Sequence, residues 1–329
     1  DSLQLRKSVE LDVAGAATVV ADLAGEKVAD LLLINDRDLS YAKLRFDDRS
    51  IATLKTHLGK FDDALARALC WASIWDMHRD AEISTSDFIE IALNGLAGET
   101  DDAIVNIVLM QLNTSVEAYA KDSNRAAYRE KLANGLWALT QSSAPGSDLQ
   151  LLISRSFAIN AHTAEQTAKI RELLNGSAPG LKVDTDLRWY FLIALTERGA
   201  TTKAELDAEL ATDNTTTGNL AFETCLAAMP NNEAKAYAFN KVLNEDIVTS
   251  IRTALIVGFQ RPIQRNLLEP FVTLYFENLI TAWESKSYEG AAKYVTGFYP
   301  NWIVKQSTVD ATNAWLNGAG KDSPAVLRK

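Results

Sequence analysis

The stretch LLLINDRDLSYAKLRFDDRS, residues 31–50, is where this chain changes period. Upstream of it, apolar and polar residues alternate at the two-residue repeat of a strand. Downstream, apolar residues recur at i, i+3, i+4 and i+7, the repeat of an amphipathic helix. Working upstream, Leu5, Lys7, Val9 and Leu11 alternate with Arg6, Ser8, Glu10 and Asp12, and Ala14-Gly15-Ala16 reads as a turn. Thr18-Val19-Val20 and Leu31–Ile34 are β-branched or aliphatic runs of strand length, and Tyr41, Lys43 and Arg45 alternate with Ala42, Leu44 and Phe46. Four short strands cannot bury both of their faces alone. Residues 1–48 are therefore expected to be the last strands of a small, incomplete β-sandwich. The chain opens without a methionine, which fits a segment of a longer protein.

Working downstream, residues 49–329 are expected to be helical throughout. Leu65, Ala68, Leu69, Ala72 and Trp75 follow the helical spacing, with Trp71 widening the stripe; Phe88, Ile91, Ala92 and Leu96 repeat it. Asp47-Asp48, Asp62-Asp63 and Asp101-Asp102 stand at or before helix starts, where carboxylates cap amides and face the positive end of the helix dipole. Asp184 is placed as an N-cap, Gly199 as a helix stop, and Pro270 at the opening of a helix. Ala236, Phe239 and Leu243 mark one further helix. The count comes to about fourteen to sixteen short-looped helices. Because single cores stop growing at about 250–300 residues, the expected fold is mainly α: an α-solenoid of HEAT-like antiparallel helix pairs preceded by the β segment.

The 329 residues are 47% hydrophobic and 23% charged, with a formal net charge of -10. That acidity argues against nucleic acid, which needs clustered Lys and Arg. No apolar run approaches the ~20 residues that span a bilayer, so no membrane partner is expected. Cys70 and Cys225 fall in apolar helical patterns and read as buried free thiols, at home in a reducing cytoplasm.

The histidines are His57, His78 and His162. None forms H-E-x-x-H, the spacing that puts two imidazoles on one helix face for zinc. His162-Thr163-Ala164-Glu165-Gln166 is the nearest miss, with an amide where the second imidazole would stand. His78, next to Arg79 at a helix end, reads as a cation matched to the C-terminal dipole. No nucleophile elbow or P-loop occurs, so the residues define no catalytic and no metal site. Trp71, Trp75 and Trp189 read as core.

Residues 31–50 also resemble the junction of the aminopeptidase N family of zinc metallopeptidases, in an actinobacterial-like branch, where a β-sandwich domain passes into a C-terminal helical domain. Asn35, Tyr41 and Lys43 fall where the family places Asn, Tyr and a basic residue at this domain junction. LCWASIWDMHRDAEISTSDF (residues 69–88) and GFQRPIQRNLLEPFVTLYFENLITAWESKSYEGAAKYVTGFYP (residues 258–300) resemble later parts of the same domain. The resemblance implies a parent enzyme of the membrane alanyl aminopeptidase type, removing N-terminal residues from peptides with zinc bound upstream. This chain would supply the helical cap that closes the substrate chamber over a catalytic domain it does not contain. The implied partners are that catalytic domain and short peptides. Arg261 and Arg265, flanking the Pro262 turn, are candidate contacts for a peptide's terminal carboxylate. The alternative is a stand-alone α-solenoid scaffold that binds protein or peptide partners.

Overall fold

The structure, a computed structural model, describes residues 3–328. It is mainly helical, with seventeen α-helices among the described residues. They fall into two compact units, Asp1–Asn160 and Ala161–Lys329.

In the first unit, the expected strands upstream of residue 48 do not form. Ala21–Leu23 is a 3-10 turn, and the one pairing among the described residues is an isolated parallel bridge from Leu3 to Phe61. A strand needs a neighbour in register to take its amides and carbonyls, and these stretches do not pair with one another. Their apolar side chains lie open instead: Leu5, Val13, Val19, Leu39 and Tyr41 are all exposed.

Helices then follow as α1 (Asp48–His57), α2 (Ala64–Arg79), α3 (Thr85–Leu96), α4 (Asp102–Thr114), α5 (Asp122–Ser142) and α6 (Asp148–Asn160). The expected caps are in place. Asp47 accepts from the Ser50 amide, Asp63 from Leu65 and Ala66, and Asp101 from Ala103 and Ile104. The unit closes by packing α1 on α3, α3 on α5, and α6 against both α4 and α5. Its core holds a buried ion pair, Arg67–Glu99 at 3.1 Å. Glu99 also accepts from the Trp71 indole at 3.0 Å and from the amides of Thr100 and Asp101, so its charge is satisfied on several sides.

His78 departs from its expected role. It is buried, with Nδ1 2.9 Å from the Ile83 carbonyl and Nε2 2.7 Å from the Ser115 hydroxyl, and its ring stacks on Phe88 at 4.7 Å. Burial pulls its pKa below the ordinary value, against the Ile83 hydrogen bond. A neutral ring donating from Nδ1 and accepting at Nε2 satisfies both partners. The ring therefore serves the core, not the helix dipole.

The second unit contains α7 (Ala164–Leu174), α8 (Thr185–Thr196), α9 (Lys203–Thr212), α10 (Thr216–Ala228), α11 (Asn232–Asn244), α12 (Thr249–Phe259), α13 (Arg265–Leu268), α14 (Phe271–Ser285), α15 (Tyr288–Phe298), α16 (Gln306–Asn317) and α17 (Ala325–Arg328). Asp184 caps α8 through the Leu187 amide, and Pro270 stands at the N-cap of α14. Gly199 stops the α8 end with φ of 71°, a left-handed conformation that glycine adopts without a Cβ clash. The former zinc-like near miss is a capping box: Thr163 accepts from the Gln166 amide while the Gln166 side chain accepts from the Thr163 amide. Packing runs from α7 to α8, α8 to α10, α10 to α12, and α12 to α15. Around it an aromatic core gathers Phe239, Phe259, Phe271, Tyr294 and Phe298, with Phe259 and Phe298 edge to face at 4.8 Å. Both cysteines are free and buried, and burial raises each thiol to about 12.

Candidate functional site

Two places hold the residues singled out by sequence. The first is the segment before α1. Asn35 has φ of 61°, and its side chain brackets Ser40, donating to the Ser40 carbonyl at 2.8 Å and accepting from the Ser40 amide at 2.9 Å. Asn tolerates this left-handed backbone because its short amide bonds locally. Lys43 pairs with Asp80 just past α2 at 2.9 Å, and Arg45 pairs with both Asp80 and Glu82. Those charges hold the Asp80 carboxyl below its ordinary pKa, Lys43 first. Closer to α1, the Leu32 amide donates to Ser50, Thr53 donates to the Asp30 carbonyl, and Arg49 pairs with Asp30 at 2.7 Å. Residues 30–45 are thus fastened to the first helices by polar contacts, while Tyr41 stays fully exposed.

The second place is the Pro262 turn. The C-terminal ends of α8, α10 and α12 converge there, each presenting carbonyls that lack an intrahelical donor. Lys235 of α11 is fully buried and donates to the carbonyls of Ala227, Gly258 and Phe259 at 2.9, 3.1 and 3.2 Å. Gln264 donates to the carbonyls of Glu197 and Ala228 at 2.7 and 2.8 Å. The buried Glu197 carboxylate meets Arg198 at 2.6 Å and Arg261 at 3.4 Å. Positive side chains therefore offset three negative helix ends and one carboxylate in a place with little water. Burial takes the Lys235 amine down to about 7; the Arg261 charge adds to the fall and Glu197 opposes it.

Arg261 and Arg265 are brought onto this one turn, with their guanidinium groups engaged inside the protein. Arg261 faces Glu197. Arg265 donates to the carbonyls of Trp302 and Pro262 and lies over the Trp302 ring at 5.5 Å. Lys235, Glu197 and Gln264 were not singled out by the sequence reading. The signal for Lys235 was its position on the apolar stripe of α11, whose buried residues are Ala234, Lys235, Ala238, Phe239 and Val242. A lysine in register with a core face needs buried acceptors.

Among the described residues no three His, Cys, Asp or Glu side chains come together to hold a metal ion. Nor is any helix among them long and apolar enough to cross a membrane. What the two places define is a helical domain whose polar clusters brace its own helix ends. The family model described as ERAP1-like C-terminal domain matches residues 31–329. Aminopeptidase N of Streptomyces lividans is 40% identical over 324 residues, covering 98% of this chain and 38% of that protein. The chain belongs to the ERAP1-like C-terminal domain family and corresponds to the C-terminal region of an aminopeptidase N family enzyme. It spans well under half the length of that curated relative.

Proposed function

We propose that this chain is the helical cap of a zinc-dependent aminopeptidase that removes N-terminal residues from peptides in the cytoplasm. The observation that carries the reading is the 40% identity to an aminopeptidase N, sustained across nearly the whole chain. In this reading residues 49–329 form a HEAT-like stack of helix pairs that closes the substrate chamber over an upstream catalytic domain. Residues 1–48 complete a small β-sandwich with chain that lies before them. The exposed Leu5, Val13, Val19 and Tyr41 suit such a partner, since a strand face of this kind is covered in a sandwich. Zinc and its ligands belong to the catalytic domain. Short peptides enter the chamber and longer chains are held out by shape. Arg261 and Arg265 would meet a peptide carboxylate only by exchanging the internal partners described above.

The test uses a full-length aminopeptidase of this family containing this chain as its C-terminal region. Release of the N-terminal residue is followed for peptides of increasing length, with and without the region equivalent to residues 49–329. Loss of the region should abolish discrimination by length while leaving the metal content of the catalytic part unchanged. Unaltered length selectivity in the truncated enzyme would remove the chamber-closing role. In parallel, the isolated chain should show no chelator-sensitive hydrolysis of aminoacyl-anilides.

A further inference from the structure

Arg252, in α12, is 4% exposed and donates one hydrogen bond, from Nη2 to the Ile247 carbonyl at 2.9 Å. Its Nε is buried with no acceptor, and no carboxylate pairs with it among the described residues. The guanidinium is set against the first turn of α15. A Cβ built on Gly290 would lie 3.1 Å from Nη1, 3.2 Å from Cζ and 3.2 Å from the hydroxyl of Ser287, the residue that caps this helix. Ser287 itself takes the Gly290 amide at 3.2 Å. The amides of the two residues between them, Tyr288 and Glu289, have no acceptor within the helix.

Lys286 adjoins the same place, with Nζ 3.4 Å from the Glu245 carbonyl. Burial first, and then the Arg252 charge, hold its amine below the ordinary range, while Asp246 opposes them. Two cations and the positive end of an eleven-residue helix thus share one corner. Each opposes the others. A buried guanidinium without a carboxylate partner is unfavourable, and a cation at a helix N-terminus is on the unfavourable side of the dipole. The same three features are what an oxyanion needs: a planar fork for two oxygens, a point charge, and amides at a helix start. Asp246, which is exposed and close enough to act on the Lys286 charge, disfavours a doubly charged guest.

We infer that Arg252, Lys286 and the first-turn amides of α15 bind a small monoanionic carboxylate, either a free organic acid or the terminus of a peptide. The site lies wholly within the second unit and does not depend on the aminopeptidase reading.

The complete chain, labelled with nitrogen-15 at arginine guanidinium groups, is titrated with sodium acetate against sodium chloride at equal ionic strength. The Nε resonance of Arg252, identified by its loss in Arg252→Lys, should move and saturate with acetate but not with chloride. Lys286→Gln removes only the half-buried outer cation and should weaken acetate several-fold, which tests the site even if the Arg252 variant folds poorly. Inorganic phosphate as the dianion should bind more weakly than acetate. An N-acetylated dipeptide with a free carboxylate moving the same resonance, while its amide does not, identifies a chain terminus as the guest; saturation by acetate alone identifies a small acid. A shift that is linear and equal in acetate and chloride, acetate affinity unchanged in Lys286→Gln, or tighter binding of phosphate overturns the assignment.

Discussion

Lys235 directs its ammonium at three backbone carbonyls that belong to the ends of two helices. Replacing it with methionine keeps the volume and removes every one of those donors. With the Ala227 and Gly258 carbonyls left unsatisfied, while Phe259 keeps the Arg261 amide, the expected loss is about 2–4 kcal/mol, read from denaturant midpoints of Lys235→Met against wild type. The same residue gives a pH signature. Its pKa falls from 10.5 to about 7 on folding, so between those values the unfolded chain holds a proton that the folded chain has released. Stability therefore rises with pH across that window, at no more than about 1.4 kcal/mol per pH unit. Below about 7 both states hold the proton and the slope vanishes. Lys235→Met should flatten the dependence of the thermal midpoint on pH between neutrality and pH 10; an unchanged slope would mean that Lys235 keeps its proton throughout. At this scale the local chemistry was legible: Asp47, Asp63, Asp101 and Asp184 cap helices because a cap involves only residues two or three positions on. Lys235 was not, because its acceptors lie 8 to 24 positions away.

Among the elements, α10 and α12 approach so closely that a Cβ on Gly258 would stand 2.3 Å from the Thr224 carbonyl and 2.7 Å from the Ala227 Cβ. The Thr224 hydroxyl, in turn, donates to the Ala254 carbonyl at 3.2 Å. Two effects compete in Gly258→Ala. Helix propensity favours alanine by about 1 kcal/mol. Overpacking against a backbone carbonyl costs about 1–3 kcal/mol or more, and it also displaces the Gly258 carbonyl from Lys235. The cost should win, giving net destabilisation of about 1–2 kcal/mol; a stabilised variant in thermal unfolding would show that the two helices can slide apart freely. Helix existence was legible along the chain, but helix phase was less so. In α2 the expected face included Leu65 and Ala72, both exposed, whereas Arg67, Cys70, Ser73, Ile74, Met77 and His78 are buried. An apolar stripe sets a face only when polar residues stay outside it. Here Arg67 and His78 go inside because Glu99, Ser115 and the Ile83 carbonyl are waiting for them.

For the molecule as a whole, helices carry the packing and residues 3–46 lie along the surface of the first unit. Apart from the Leu3–Phe61 bridge, their fastening points to the helices cluster from Asp30 onward, at Asp30, Leu32, Lys43 and Arg45, whereas Leu5, Val13 and Val19 are open to solvent. Removing residues 1–27 should therefore leave the thermal midpoint within a few degrees of the parent chain and raise the helical circular dichroism per residue. A large loss of stability would show that the early segment supports the helical core. The strand-like alternation in that segment was a true reading of pattern. Alternation specifies which side chains share a face; pairing requires a second strand, and no described stretch supplies one in register.

By itself the sequence determined the helical class, the helix caps, the turn at Pro262 and the burial of both cysteines, because each depends on residues near one another along the chain. The motifs at residues 31–50, 69–88 and 258–300 also carried the aminopeptidase resemblance that the comparisons then bore out. Only the tertiary structure decided what the buried charges do. Glu99 takes the Trp71 indole from 28 positions away, Asp213 takes that of Trp189 from 24, and Gln264 reaches the Glu197 carbonyl across 67. A polar group leaves water only where folding has already assembled its partners. No local pattern encodes that meeting, so the braced turn around Lys235 and the carboxylate corner around Arg252 became visible only in the folded chain.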